Sequence, residues 1–245
     1  MAVRDLLMIR VQGFVPAWGL PDFSPFCNKV HTYLRMRGFE YETTVADPRK
    51  APLGKLPGLE LGDGTTIYDS RLIIERLESE NPEPMDAHLD ARERAAAASI
   101  RSTLEEHFYF VLAYLHFQDE RGWQEFLPVW RDYGKALGMP SFVFHPALFV
   151  ARRNVLRDLR GQGMGRHDVE TVRRFGKELV TSLADLIGEG PYLMGKRPTT
   201  YDATSYAFTT AIMEAEFTCP VREHSRQQAS LCAYRERMHA QYFAD

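Results

Sequence analysis

The sequence predicts an α+β domain followed by an all-helical domain, and three observations support this fold class. Residues 1–80 alternate short apolar segments with amphipathic ones in the order β-α-β, loop, β-β-α. A polar connector with two prolines, NPEPMDA at 81–87, comes next. In the rest of the chain, 88–245, apolar stripes recur every three or four positions, which is the period of a helix. We therefore expect one domain on each side of the connector.

Short local signals predict the elements of the first domain. An apolar run that ends before Gly13 predicts a buried strand, and apolar residues at every fourth position from Phe26 predict a helix that ends at Gly38. An Asp-Gly turn at Asp63 predicts a hairpin. The predicted strands lie at 6–11, 39–45, 56–61 and 65–68, and the predicted helices lie at 25–37 and 69–80.

Apolar stripes and one cap predict the helices of the second domain. The stripes at 100–115 and 172–186 each indicate a long amphipathic helix. Thr199 precedes a further helical segment with Asp202 three residues later, which is the spacing of a capping box. The segment 134–166 has no clear period, and we expect short helices and loops there.

Composition and charge exclude two classes of function. Hydrophobic residues make up 44% and charged residues 26% of the 245 residues, as in ordinary globular proteins. The net charge of −3 provides no electrostatic basis for binding nucleic acid. No window approaches the ~18 apolar residues of a membrane span, so we expect no transmembrane helix.

The cysteines, the histidines and the first residues of the sequence bear on the cellular compartment and on metal binding. Cys27, Cys219 and Cys232 are too few and too scattered for a disulfide framework or a zinc site. The histidines fit no metal-ligand spacing, and the apolar stretch at the start is too short for a signal peptide. These features predict a cytoplasmic protein without a bound metal.

Three long motifs resemble a known family. They are SPFCNKVHTYLRMRGFEYE at the first helix, GKLPGLELGDGTTIYDSRLIIERLE at the hairpin, and PYLMGKRPTTYDATSYAF in the second domain. Together they resemble the glutathione S-transferase superfamily, which joins a thioredoxin-like domain to an all-α C-terminal domain. GQGMGRHDVE and YRERMHAQYFAD additionally resemble the branch with failed-axon-connections and metaxin-like proteins. The resemblance implies glutathione as co-substrate and a homodimer.

Ser24 and Cys27 are alternative centres for the sulfur chemistry. Ser24 precedes Pro25, which suits the first position of a helix, so its hydroxyl lies beside exposed backbone N–H groups. That position fits a simple helix cap. The resemblance to serine-type transferases implies instead that Ser24 contacts the glutathione thiol and lowers its pKa. Cys27 is the other candidate nucleophile, although a lone cysteine is more often a small core residue.

Two further motifs complete the expected glutathione site. The resemblance implies a cis peptide at Pro57, with the Leu56 backbone paired to the cysteinyl part of glutathione and Lys55 at its glycyl carboxylate. Asp69 and Ser70 open a helix, which a carboxylate and a hydroxyl can cap. The same two groups can hold the ammonium and the carboxylate of a γ-glutamyl group, and the two roles are compatible.

The resemblance also implies an apolar electrophile pocket between the domains. It would be formed by the loop after the first strand and by the first long helix of the second domain. The candidate residues are Phe14, Trp18, Tyr109 and His116, although core packing explains most aromatic residues without a pocket.

These features predict a glutathione S-transferase-like enzyme. It would stabilise the glutathione thiolate and conjugate it to a small apolar electrophile, as in detoxification. The alternative is an interaction or scaffold protein that keeps the fold but has little catalysis, as in metaxin-like relatives. A third hypothesis is glutathione-dependent reduction of mixed disulfides through Cys27.

Overall fold

The computed structural model describes residues 9–244, which form a mixed α/β domain packed against a helical one. The strands are β1 (Ile9–Gly13), β2 (Tyr41–Val45), β3 (Gly58–Glu60) and β4 (Thr66–Tyr68), and the helices are α1 (Pro25–Met36), α2 (Ser70–Ser79), α3 (Ala91–Ser102), α4 (Tyr109–Ala113), α5 (Glu120–Ala136), α6 (Ser141–Gln162), α7 (Val169–Ile187), α8 (Thr200–Met213), α9 (Pro220–Arg226) and α10 (Ala229–Tyr242).

The described strands of the first domain form one sheet in the order β2-β1-β3-β4. β1 and β2 are parallel, and α1 provides the crossover that a parallel pair needs. β3 pairs antiparallel with both β1 and β4. The predicted β-α-β, β-β-α order is confirmed, whereas residues 6–8 of the first predicted strand lie outside the described residues.

α1 is buried on almost every side because it lies between the sheet and α8. Val30 and Leu34 pack in the core of the first domain, as the apolar period predicts. Lys29 and His31 are buried as well, which that period does not predict. The helix ends before Gly38, whose φ of 66° lies in the left-handed region that favours glycine.

The first long helix of the second domain runs from α3 through α4 without a break. Two π-helical segments, Thr103–Phe108 and Tyr114–Gln118, widen it. Its apolar stripe is buried as predicted, for example at Phe108 and Val111. The stripe predicted along α7 is displaced toward Ile187, because Leu186 is 55% exposed.

The prediction of short helices and loops at 134–166 is wrong. α6 alone has 22 residues and is interrupted neither by Pro146 nor by a loop. The period is unclear in the sequence because both faces of α6 carry apolar residues. Phe144 is buried against Gly134, whereas Phe142 is 79% exposed. Within residues 9–244, no helix combines the length and the apolarity needed to cross a bilayer.

The loop between β1 and α1 contains a tight turn. Trp18 and Gly19 both have positive φ, at 55° and 77°, and form a tight turn closed by a bridge between Ala17 and Leu20. This turn folds the loop 14–23 back on itself.

Candidate functional site

Ser24 occupies the N-cap position of α1 but does not cap the helix with its side chain. Its backbone N–H donates to the Asp22 carboxylate at 2.7 Å. Burial raises the pKa of the Cys27 thiol, and the neighbouring Ser24 hydroxyl offsets a small part of that rise. Because this half-buried hydroxyl does not cap α1, it can turn to an acceptor at the start of the helix.

Asp22 organises this turn and was missed by the sequence analysis. Its carboxylate is buried and accepts from the N–H groups of Phe14, at 2.6 Å, and of Ser24. It approaches Gly13 so closely that a Cβ there would lie 2.4 Å from an Asp22 oxygen. Burial, only partly offset by these hydrogen bonds, raises the pKa of Asp22 to about 7. The available signal was an aspartate two residues before Ser24, the spacing of an Asx turn.

Cys27 is fully buried and packs with Leu56 and Ala51. Burial, together with the nearby Asp22 carboxylate, raises the pKa of the Cys27 thiol well above its usual value. A buried thiol that resists ionisation is a poor nucleophile, so these contacts favour a packing role for Cys27.

The Leu56–Pro57 peptide is cis, as the resemblance implies. Leu56 is buried against Cys27, which brings this loop beside the first turn of α1. Lys55 is exposed at the start of the loop and makes no hydrogen bond or ion pair with the residues that the structure describes.

Asp69 and Ser70 open α2 in different environments. Asp69 is exposed, has a φ of 80° and caps the helix by accepting from the N–H groups of Arg71 and Leu72. A non-glycine residue at that φ is strained, and such strain is concentrated at ligand sites. Ser70 is only 4% exposed, and its hydroxyl oxygen accepts from Lys29 Nζ at 3.2 Å.

Lys29 links the two domains and was also missed from the sequence. It forms a buried ion pair with Glu105 at 2.6 Å, and Thr204 Oγ1 lies 3.3 Å from the same carboxylate oxygen. Burial lowers the pKa of Lys29 and outweighs the attraction of Glu105. The sequence offered one indication of this role: Lys29 lies three residues after Phe26, on a helix expected to face the core.

The expected electrophile residues fall into two groups. Phe14, Trp18 and His116 belong to one aromatic layer with Phe126: Trp18 stacks on His116 at 6.1 Å, and Phe126 lies 4.6 Å from the same imidazole. Tyr109 lies apart, with its ring 5.0 Å from that of Phe26.

His116 is the most enclosed of these candidates. It is 8% exposed, and its Nε2 has no hydrogen-bond partner among the described residues. Burial lowers its pKa to about 4, so the imidazole is neutral at physiological pH.

Two cavities lie near the site without including it. One, of about 520 Å³, lies beside the loop 14–23 and is lined by Arg35, Tyr206 and Phe243 among others. The other, of about 490 Å³, lies between α2 and α3 and includes Lys29. Ser24, Leu56 and Ser70 line neither cavity, although their surroundings converge on the first turns of α1. Residues 9–244 contain no group of three metal-ligating side chains.

Comparison with known proteins shows the family. A model of the glutathione S-transferase N-terminal domain matches residues 25–122, and a model of the glutathione S-transferase C-terminal domain matches 176–238. The isoprene-epoxide–glutathione S-transferase of Rhodococcus sp. (strain AD45) is 31% identical over 96% of this chain and 99% of its own length. The chain therefore belongs to the glutathione S-transferase family.

The relatives include the branch that the sequence motifs indicate. Failed axon connections of Drosophila melanogaster is 27% identical over 92% of this chain and 56% of its own length. Metaxin-1 of Macaca fascicularis is 27% identical over 92% of this chain and 72% of its own. A solved glutathione S-transferase from Methylobacterium radiotolerans, in complex with glutathione sulfonate, has the same fold, with a TM-score of 0.61, 18% identity and coverage of 96% and 91%.

Proposed function

We propose that this protein binds glutathione at the first turn of α1, stabilises its thiolate and conjugates it to a small apolar electrophile. The observation that carries the proposal is the Ser24 hydroxyl, which stands at a helix N-terminus without capping it. A helix N-terminus favours a nearby anion, and a hydroxyl donor strengthens that preference.

The chemistry required is a modest shift in acidity. A thiol like that of glutathione has a pKa of about 8.5, and each unit of decrease corresponds to ~1.4 kcal/mol of thiolate stabilisation. The Ser24 hydroxyl, which does not cap its helix, would donate to the thiolate of glutathione. Asp22, whose pKa is raised to about 7, is about half protonated near neutral pH, which limits its repulsion of the thiolate.

The rest of the glutathione site follows from the same elements. Lys29 can only donate hydrogen bonds, so its contact with Ser70 Oγ leaves the Ser70 hydrogen free to donate to a γ-glutamyl carboxylate. Asp69 is exposed and would face the γ-glutamyl ammonium. In this proposal the Leu56 backbone, before Pro57, pairs with the cysteinyl unit, and Lys55 meets the glycyl carboxylate.

We assign the electrophile to the edge of the aromatic layer. Trp18 is half-buried, and with Phe14 and His116 it would contact an apolar substrate, while Tyr109 would border it across Phe26. The name of the Rhodococcus relative supports an epoxide as the substrate class. Family likeness likewise supports a cytoplasmic homodimer that acts in detoxification.

The test is conjugation of glutathione to an apolar epoxide such as styrene oxide. Ser24→Ala should lower the rate at neutral pH at least about tenfold, the loss expected for ~1.4 kcal/mol of thiolate stabilisation. Ser182→Ala, at an exposed serine on α7, is the matched control and should keep the wild-type rate. Equal rates for wild type and Ser24→Ala would contradict the proposal.

A second candidate is a non-catalytic interaction protein, and one observation favours it. Neither of the two cavities described above is lined by Ser24, Leu56 or Ser70, and Phe14 of the aromatic layer packs against the cluster of Cys27 and Leu56. The failed-axon-connections and metaxin relatives support the same candidate. Calorimetric titration distinguishes the two: saturable glutathione binding that weakens in Ser70→Ala supports the transferase, and absence of binding supports the interaction protein.

A further inference from the structure

One face of α6 exposes more large apolar side chains than any other described helix. Phe142 is 79% exposed, Phe149 68% and Val150 54%, and Val143 is 42% exposed. The opposite face holds the helix on the protein through Phe144, which lies on Gly134, and through Leu148. The exposed apolar side chains therefore make no contribution to holding α6 on the protein.

The same face continues as a basic surface. Phe142, Pro146 and Phe149 are followed at intervals of three or four residues by arginines, so all of them lie along one side of the helix. The arginines of this stripe are Arg153, Arg157 and Arg160, and all three are exposed.

The charge of this helix contrasts with that of the whole chain. The chain has a net charge of −3, whereas α6 contains four arginines and one acidic residue, Asp158. The fourth arginine, Arg152, turns inward to Glu120. Arg157 pairs with Asp158 at 3.6 Å, with both side chains largely exposed, and such a pair contributes little. Arg153 and Arg160 have no ion-pair partner among residues 9–244.

We propose that the exposed face of α6 docks on an anionic phospholipid surface. We define this face, from Phe142 to Arg160, as the α6 ridge; it extends over about 27 Å. Aromatic and apolar side chains next to arginines on one side of a helix are typical of helices that lie in the plane of a membrane interface. The apolar residues would enter the boundary of the acyl chains, and the arginines would contact the lipid phosphates.

The shape of the ridge favours a bilayer over a peptide. Its apolar side chains protrude, with Phe142 79% and Phe149 68% exposed, which suits insertion into an interface better than enclosure of a bound segment. A second copy paired through the same ridge would bring no anionic partner to Arg153 and Arg160, because the one acidic residue of α6, Asp158, already pairs with Arg157. A planar anionic bilayer would accept the apolar side chains of the ridge and also provide phosphates for its arginines.

The ridge is also separate from the glutathione chemistry. α6 lies between the segments that the two family models match, at 25–122 and 176–238. The proposal therefore stands whether or not the protein conjugates glutathione.

The experiment is sedimentation of the full chain with vesicles of phosphatidylcholine alone or of phosphatidylcholine with phosphatidylserine. The wild type should bind the anionic vesicles at least about tenfold more strongly and should be released by salt. Replacing Arg153, Arg157 and Arg160 together by Gln should weaken binding about a hundredfold, since each interfacial arginine contributes about fivefold.

The apolar half is tested with Phe142→Ser combined with Phe149→Ser. Binding should fall at least about tenfold, while Leu186→Ser, at an apolar residue of α7 that is 55% exposed, should bind like the wild type. All replaced side chains are exposed, so the variants should unfold at the wild-type temperature. Absence of binding, equal binding to both kinds of vesicle, or self-association that disappears in the Phe variants would overturn the proposal.

Discussion

Ser24 in α1 and Thr199 in α8 both place a hydroxyl group at the start of a helix, but only the Thr199 hydroxyl is bound within its own helix. Both residues hold the N-cap position, and the third helical residue is Cys27 in one helix and Asp202 in the other. The Thr199 hydroxyl and its backbone N–H both donate to the Asp202 carboxylate at 2.8 Å, and a capping box closes this helix. The Ser24 hydroxyl makes no such hydrogen bond with its own helix.

The carboxylate that accepts a hydrogen bond at the start of α1 belongs to Asp22, which precedes the helix. Asp22 accepts from the Ser24 N–H, as Asp202 does from that of Thr199, but from two residues before the cap. A carboxylate at the third helical position would repel a thiolate bound at the N-terminus. With the acid placed before the cap, only the Ser24 N–H is bound to a carboxylate, whereas the Thr199 hydroxyl is bound to Asp202 as well.

The largest expected loss of stability follows from removing the buried carboxylate at the start of α8. Asp202→Ala should destabilise the protein by about 4 kcal/mol, because it leaves buried donors of Leu193, Thr199 and Tyr234 without an acceptor. Urea unfolding measures it. Asp168→Ala removes an exposed cap of α7 as control and should cost about 1 kcal/mol. Similar losses in the two variants would show that the buried box has no special role.

The Lys29–Glu105 pair joins the two domains and should have the next largest effect. Lys29→Met should cost about 3 kcal/mol, because among the described residues it leaves a mostly buried carboxylate with only Thr204 as a hydrogen-bond partner. Adding Glu105→Gln should recover more than half of that loss. A double variant as unstable as the sum of the two single ones would contradict a direct interaction.

Asp22 should make stability depend on pH. A carboxyl whose pKa is raised to about 7 keeps its proton in the folded state after the unfolded chain has lost it, so stability falls as pH rises from about 4 to 7. Between pH 5 and pH 8 the contribution amounts to about 2–3 kcal/mol.

His31 and His116 act in the opposite direction, because burial lowers their pKa values to about 4 and stability is lost as pH falls from about 6.5. The prediction therefore concerns the difference between the wild type and Asp22→Asn, in which the histidine contributions cancel. That difference should shrink as pH rises, and a constant difference would exclude a buried titrating Asp22.

The smallest expected effect is on the stability of the Ser24 variant. Ser24→Ala should cost less than about 0.5 kcal/mol, since no cap is lost, whereas Thr199→Ala should cost about 1–2 kcal/mol. Thermal unfolding of the two variants side by side measures the contrast. Equal costs would mean that Ser24 is also a structural cap.

Much of the fold could be predicted from local signals, and the site only in part. The Thr199–Asp202 box and the stop at Gly38 depend on neighbours within a few residues, so the sequence shows them directly. Asp22 and Lys29 acquire their roles from burial and from partners far along the chain, such as Glu105. No periodicity predicts such partners. α6 escaped detection because the first half of its exposed face, with Phe142 and Phe149, is as apolar as its buried face.

The central claim is that Ser24 stabilises a thiolate, and titration of bound glutathione tests it most directly. The ultraviolet absorbance of the thiolate is followed against pH in the wild type and in Ser24→Ala, both saturated with glutathione. We expect a thiol pKa about 1–2 units below 8.5 in the wild type and a return of at least about one unit toward 8.5 in the variant. Superimposable titration curves would contradict it.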